Sequence, residues 1–149
     1  MYCIKLSSSF LLKKEKALKN STISKILSMK TIAVVGMSPN PERPSHFVSK
    51  YMINNGYKII PVNPGQKEIL GLRCYSALKD IKYEVDIVHV FRNSDYATPI
   101  IQEAISIKAK AIWLQDGIVS IEGKQMAKDN NIIYIENDCV LRRHRKLYE

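Results

Sequence analysis

The feature that most constrains this chain is a strand–glycine–helix pattern near its start. An apolar, mostly β-branched run from Thr31 to Val35 ends at Gly36, and a loop with three prolines follows. From Ser45 the apolar residues recur at spacings of three and four, which predicts a helix over 45–55. This pattern is typical of the phosphate-binding corner of doubly wound α/β domains. The glycine permits a tight turn, and free N–H groups at the helix start attract anions.

The rest of the chain alternates between short apolar runs and helical patterns. We predict strands at 57–62, 85–91, 109–114 and 132–135, with helices at 95–108, 120–130 and 141–148 between and after them. Alternation of this kind predicts an α/β fold, a single Rossmann-like doubly wound domain whose five-stranded parallel sheet has helices on both faces. We assign this domain to residues 22–149, and residues 1–21 to a basic N-terminal extension that we expect to be disordered.

The net charge of +9 is concentrated at the two ends of the chain. Residues 1–30 carry +6 and residues 140–149 carry +3, whereas residues 31–139 hold 12 basic and 12 acidic side chains. A neutral body argues against a folded nucleic-acid interface, so we do not expect the folded domain itself to bind nucleic acid. No apolar run approaches the roughly 20 residues of a membrane span. We expect no metal site, because the three histidines share no ligand spacing.

Three cysteines lie far apart in the sequence, at positions 3, 74 and 139. Their number and spacing fit neither a disulfide framework nor a zinc site, so we expect a cytoplasmic protein. The basic, serine-rich and acid-poor start of the chain also fits a mitochondrial transit peptide if the source is eukaryotic. Cys139 has no histidine on a neighbouring motif, and we interpret it as a structural thiol rather than a nucleophile. No acid–base pair or nucleophile elbow is evident, so we assign no catalytic residue.

Ligands of such sheets bind at the carboxyl ends of the strands. The loop residues there include Gly36, Asn63, Arg92 and Gln115. A nicotinamide dinucleotide would require G-x-G-x-x-G and an acid at the end of the second strand. Here Gly36 is the only glycine of that motif, and Asn63 occupies the position of the acid. Phosphate binding at the helix start is still predicted, with Arg43 and Arg92 supplying positive charge.

Several segments together resemble a known family. They are Ala33–Ser38, Arg43–Ser45, Gly56–Pro64, Val85–Arg92, Trp113–Gln115 and the late Cys139. With these segments the chain resembles the small stand-alone CoA-binding proteins, whose domain is similar to the CoA-binding part of the succinyl-CoA synthetase α chain. The resemblance covers roughly residues 22–145. It departs from the family pattern at Asn137-Asp138, where a basic residue usually precedes the cysteine.

The resemblance implies that coenzyme A, or an acyl-CoA, is bound. Because no catalytic residue is assigned, we interpret the chain as a non-catalytic binding module. The resemblance also implies three groups of contacts: the first loop and helix start around the pyrophosphate, the second strand end beside the adenosine, and the remaining residues along the pantetheine path. The residues are Gly36, Met37, Ser38, Pro39, Arg43, Ser45, Val62, Asn63, Pro64, Phe91, Arg92 and Gln115. The synthetase's phosphorylated histidine lies in a second domain that this chain lacks, so that activity is not expected.

Two other function classes stay open at this point. The chain could be an enzyme that uses an acyl-CoA or another nucleotide through an unidentified catalytic group. It could instead bind nucleic acid or a protein through its basic ends. Assembly into a homo-oligomer, or binding to a partner enzyme, also stays open.

Overall fold

The computed structural model describes residues 7–149. Its helices are α1 (Ser8–Leu27), α2 (Pro44–Asn54), α3 (Ala97–Ser106), α4 (Ile121–Asp129) and α5 (Val140–Tyr148). Its strands are β1 (Thr31–Val35), β2 (Lys58–Val62), β3 (Glu68–Ile69), β4 (Leu72–Arg73), β5 (Ile87–Val90), β6 (Ala111–Leu114) and β7 (Ile133–Ile135). Short 3-10 turns lie at Leu78–Asp80 and Ser94–Tyr96.

Five strands form one parallel sheet in the order β2-β1-β5-β6-β7, which confirms the predicted fold class. The chain runs outward from β1 to β2 and then crosses back to β5, so the strand order reverses between β1 and β5. The crevice above this reversal is where open α/β sheets bind ligands. The connector at 68–73 showed little sequence pattern, and it folds as the small antiparallel hairpin of β3 and β4.

Each face of the sheet is covered by its own set of helices. Because successive strand residues point to opposite faces, Val34 and Trp113 pack with α1, α2 and α5, whereas Val88 and Leu114 pack with α3 and α4. The strands β5 and β6 are buried at every residue. Burial on both sides explains why their sequences read as continuous apolar runs.

The glycine inside α4 has a packing reason. A Cβ atom at Gly123 would collide with the side chain of Ile101 on α3. The intrinsic cost of a helical glycine is about 1 kcal/mol relative to alanine. Here the absence of a side chain at Gly123 allows α4 to approach α3 closely.

The N-terminal helix differs from the prediction. We expected residues 1–21 to be disordered, whereas α1 begins at Ser8, after Ser7 caps it by accepting a hydrogen bond from the Phe10 N–H at 3.3 Å. Residues 8–19 of this helix are exposed, and Ile23 is its first buried residue. The boundary between extension and domain therefore stays a prediction, and residues 1–6 lie outside the described part of the chain. None of the helices described is long and apolar enough to span a membrane.

A buried carboxylate, Asp138, joins the terminal helices to the sheet. Its side chain accepts hydrogen bonds from Arg143 Nε at 2.9 and 3.0 Å and lies 3.3 Å from Lys19 Nζ on α1. Its backbone carbonyl accepts the indole N–H of Trp113 at 2.9 Å. Burial would raise the pKa of Asp138, but the hydrogen bond and charge of Arg143, with Lys19, hold that pKa below its ordinary value. The carboxylate is therefore charged in the folded protein at neutral pH.

We expect Asp138→Asn to lower the free energy of unfolding at neutral pH by about 3 kcal/mol, because it leaves Arg143 and Lys19 without their buried counter-charge. Asp116→Asn is the matched control, since Asp116 pairs with Arg142 at 3.0 Å on the surface. An exposed pair contributes about 1 kcal/mol or less. Urea unfolding of the three proteins measures both effects, and equal losses in the two variants would contradict the assignment.

Candidate functional site: a cavity at the strand-order reversal

The corner after β1 requires a glycine. Gly36 has a φ of +84°, a left-handed conformation that L side chains rarely adopt, and its N–H donates to the Val62 carbonyl at 2.9 Å. A Cβ atom there would lie 2.9 Å from Cδ of Arg92. Both the backbone conformation and the space around this position therefore favour glycine. Because Gly36 has no side chain, the side chain of Arg92 can pack directly against the corner.

The loop that follows is fixed by three side chains. Ser38 donates its N–H to Ser45 Oγ at 2.9 Å, and its carbonyl accepts the Nδ1–H of His46 at 2.9 Å. Asn63 donates Nδ2–H to the Met37 carbonyl at 2.9 Å, while its Oδ1 accepts the Gly65 N–H at 2.9 Å. The loop is thus tied to the first turn of α2 on one side and to the end of β2 on the other.

This corner presents hydrogen-bond donors and positive charge without partners. Within residues 7–149, the N–H groups of Met37 and Ser45 donate to no other group. Neither Arg43 nor Arg92 forms an ion pair with a carboxylate of the described residues, and Arg92 lies over the ring of Tyr96 at 4.8 Å. Free N–H groups at a helix start and two unpaired guanidinium groups make a site suited to an anion such as a phosphate.

Two adjoining cavities open on either side of this corner. The larger, of about 620 Å³, lies on the α2 side of the sheet and extends to Gln115, Ile118 and Cys139. The smaller, of about 270 Å³, lies on the α3 side. Gly36, Asn63 and Arg92 line both, so the two form one continuous crevice across the reversal point.

Most of the residues that the resemblance implied line this crevice. Those on the larger cavity are Gly36, Ser38, Arg43, Ser45, Asn63, Phe91, Arg92 and Gln115, and those found on the smaller cavity alone are Val62 and Pro64. Two residues line neither cavity. The side chain of Met37 is fully buried in the core, and Pro39 is exposed on the outside of the loop. Any contact from Met37 to a ligand would therefore come from its backbone.

The family model described as "CoA binding domain" matches residues 30–145 of the chain. The chain belongs to this CoA-binding domain family. It is 44% identical over 111 residues to the uncharacterized protein YneT of Bacillus subtilis (strain 168), a match that covers 74% of this chain and 82% of YneT. A structure of a hypothetical protein from Pyrococcus horikoshii OT3 superposes with a TM-score of 0.84 at 34% identity, covering 87% of this chain and 92% of that one.

A larger relative contains the same domain. The chain is 24% identical over 119 residues to the acetate–CoA ligase (ADP-forming) of Methanocaldococcus jannaschii, and the match covers 74% of this chain but 17% of the ligase. The chain therefore corresponds to a small part of that enzyme.

In this CoA-binding domain, a buried pair of side chains orients a polar group toward the larger cavity. His89, on β5, is 2% exposed, and its Nε2–H donates to Gln115 Oε1 at 2.8 Å. Burial lowers the pKa of His89 to about 4, although the hydrogen bond to Gln115 acts in the opposite direction. The imidazole is therefore neutral at pH 7. Gln115 itself lines the larger cavity, and its Nε2 group donates to no other described residue.

Sequence reasoning missed two residues of this framework. His46 and His89 carried no motif, and their roles depend on where the fold places the Ser38 carbonyl and the Gln115 amide. Cys139, which we interpreted as a structural thiol, is partly exposed and lines the larger cavity, and its role stays a prediction. The Oγ of Ser38 accepts the Asn40 N–H at 3.1 Å.

We expect the neutral state of His89 to make stability depend on pH. Because its pKa is about 4 in the folded protein and about 6.5 when unfolded, the unfolded state binds a proton that the folded state does not between these values. The free energy of unfolding should fall by about 3 kcal/mol from this residue as pH drops across that window.

Urea unfolding of the wild type and His89→Gln at several pH values isolates this contribution. His144, whose pKa is also lowered by burial, titrates in both proteins, so the difference between the two curves reports His89. Parallel curves for the two proteins would contradict the prediction.

Proposed function

We propose that this protein binds coenzyme A or an acyl-CoA in the crevice, without catalysing a reaction on it. The observation that carries the proposal is the electropositive corner between two cavities at the strand-order reversal. Coenzyme A has a pyrophosphate between a nucleoside and a long pantetheine arm, and the crevice has an anion site between two compartments. The family membership supports the same ligand.

The corner suits the pyrophosphate. The unpartnered N–H groups of Met37 and Ser45 and the guanidinium groups of Arg43 and Arg92 can each donate to phosphate oxygens. The loop that holds them is fixed by the side chains of Ser45, His46 and Asn63 before any ligand binds. Little conformational entropy would then be lost on binding, which favours affinity.

The two cavities differ in size and lining, and each suits a different end of coenzyme A. The smaller is bordered by Val62, Pro64, Tyr96 and Ile100, whose apolar surfaces suit the adenosine. The larger, near 620 Å³, falls within the range of about 300–1,000 Å³ of ligand pockets. It suits the pantetheine arm, because Phe91 and Ile118 line it beside the donor amide of Gln115.

A ligase reaction is not part of this proposal. The relative whose name gives such an activity is an acetate–CoA ligase of which the chain matches 17%. The carboxylate of Asp116, which lines the larger cavity, is held by two hydrogen bonds from Arg142 at 3.0 Å, so it is engaged rather than free to act as a base.

The other binding hypothesis has less support from the structure. Part of the positive charge at the carboxyl end is paired within the molecule, since Arg142 and Arg143 contact Asp116 and Asp138. Recognition of nucleic acid through that end would first have to break these ion pairs.

Calorimetric titration with coenzyme A tests the proposal, with Arg92→Ala as the variant and Arg73→Ala as the control. Arg73 is exposed on β4 and lines neither cavity, so its removal should change the Kd by less than about twofold. Loss of the Arg92 guanidinium should raise the Kd about tenfold or more, because a charge-assisted hydrogen bond contributes about 1.5–3 kcal/mol.

Gly36→Asp should abolish binding, since it introduces a carboxylate into the corner and displaces Arg92. Absence of coenzyme A binding by folded, ligand-free wild-type protein would refute the proposal. Equal losses in the Arg92 and Arg73 variants would refute the assignment of the corner.

A further inference from the structure

We propose that Cys139 is a thiol-exchange site that forms a reversible mixed disulfide with the terminal thiol of coenzyme A. This inference rests on the proposed function, because the ligand's thiol arm must occupy the larger cavity. It goes further in assigning a covalent role to a residue of that cavity.

The position of Cys139 is the first observation. It is the residue that precedes α5, and its backbone N–H donates to Asp138 Oδ1 at 2.9 Å. Asp138 is in turn tied to Trp113, Arg143 and Lys19, so the backbone that carries the thiol is held firmly. The side chain is partly exposed and lines the larger cavity, and its sulfur makes no hydrogen bond to residues 7–149.

The amide of Gln115 is a second, independent observation at the same cavity. Gln115 is 7% exposed, its Oε1 is occupied by His89, and its Nε2 group donates to nothing else in the described part of the chain. No buried side-chain nitrogen or oxygen of the described residues lacks a partner, so the unpartnered Nε2 group is accessible from the cavity that Gln115 lines. A free donor on a cavity wall suits an acceptor on a ligand. The pantetheine arm carries amide carbonyl oxygens and ends in a thiol, so this part of the cavity matches the chemistry of its far end.

The structure contains an internal comparison for reactivity. Cys74 is 8% exposed, its Sγ–H donates to the Asn63 carbonyl at 3.5 Å, and burial raises its pKa. A buried thiol of this kind is inert, because the thiolate is the reacting form and access is required. We therefore expect exchange at Cys139 and none at Cys74.

The step needs an oxidant, and the disulfide of coenzyme A supplies it. With one half of that disulfide in the crevice, the Cys139 thiolate attacks the sulfur of the bound half. A sulfur–sulfur bond forms between Cys139 and this half, and the original bond breaks. The other half leaves as a thiolate and takes up a proton. Cys139 is oxidised, the departing coenzyme A is reduced, and a thiol reductant reverses the step.

Peptide-resolved mass spectrometry of the full-length protein tests this inference. All proteins carry Cys3→Ser, which removes the cysteine outside the described residues, and they are incubated with coenzyme A disulfide or with glutathione disulfide at equal concentration. We expect Cys139 to be modified by coenzyme A disulfide at least about tenfold faster than by glutathione disulfide, because binding raises the effective concentration of the reacting sulfur. Reductant should remove the adduct, and Cys139→Ser should abolish it.

Gly36→Asp separates directed exchange from general thiol reactivity. It should bring the coenzyme A rate down to the glutathione rate measured with the same variant. Equal rates with both disulfides in the parent protein, or an adduct on Cys74 instead, would overturn the inference. Calorimetry with coenzyme A under reducing conditions distinguishes the two proposals. Binding without directed exchange rejects the role of Cys139 alone, whereas no binding rejects the proposed function as well.

Discussion

The parallel pairing of β1 with both β2 and β5 is the constraint on which the rest of this structure depends. At the end of β1 the Gly36 N–H donates to Val62 on one side at 2.9 Å, while the Val35 carbonyl accepts the Phe91 N–H on the other at 2.9 Å. These bonds bring three strand ends to a single edge. Because the chain leaves β1 in one direction and returns on its other side, no connection covers that edge, and a crevice remains.

The crevice is built before any ligand binds. The Gly36 corner lines it, and the side chains of Asn63 and His46, which lie outside the sheet, hold the loop after Gly36 by hydrogen bonds. The polar groups left over are donors: two backbone N–H groups, two guanidinium groups and the amide of Gln115. A cavity that presents mainly donors is matched to a ligand rich in acceptors, and phosphate and carbonyl oxygens are such acceptors.

The terminal helices contribute to the site through Asp138. The carboxylate of Asp138 contacts Lys19 of α1 and Arg143 of α5, and its backbone carbonyl accepts the Trp113 indole N–H of β6. The next residue, Cys139, lines the larger cavity. The departure from the usual family sequence before the cysteine has a structural counterpart here, because the acidic residue at 138 is neutralised by Arg143 and Lys19. The same ion pairs that hold the helices therefore also hold the wall of the cavity.

The sequence by itself determined the class of fold and the strand ends at which the crevice lies. Local patterns suffice for this, since β-branched runs specify strands, three-and-four spacing specifies helices, and Gly36 marks the turn that a Rossmann-like corner needs. The expected positions of Asn63, Phe91, Arg92 and Gln115 at the strand ends followed from the same patterns, and the structure places all four on the crevice.

Tertiary structure alone decided which groups are free and which are engaged. Asn63 clamps two loops, Met37 is buried, and His89 orients Gln115, because partners from distant strands and helices meet only in the fold. The helical state of residues 8–20 also escaped prediction, since their composition shows no apolar periodicity. Hydrogen-bond partnership, burial and cavity walls depend on contacts between residues far apart in the chain, and no local pattern encodes them.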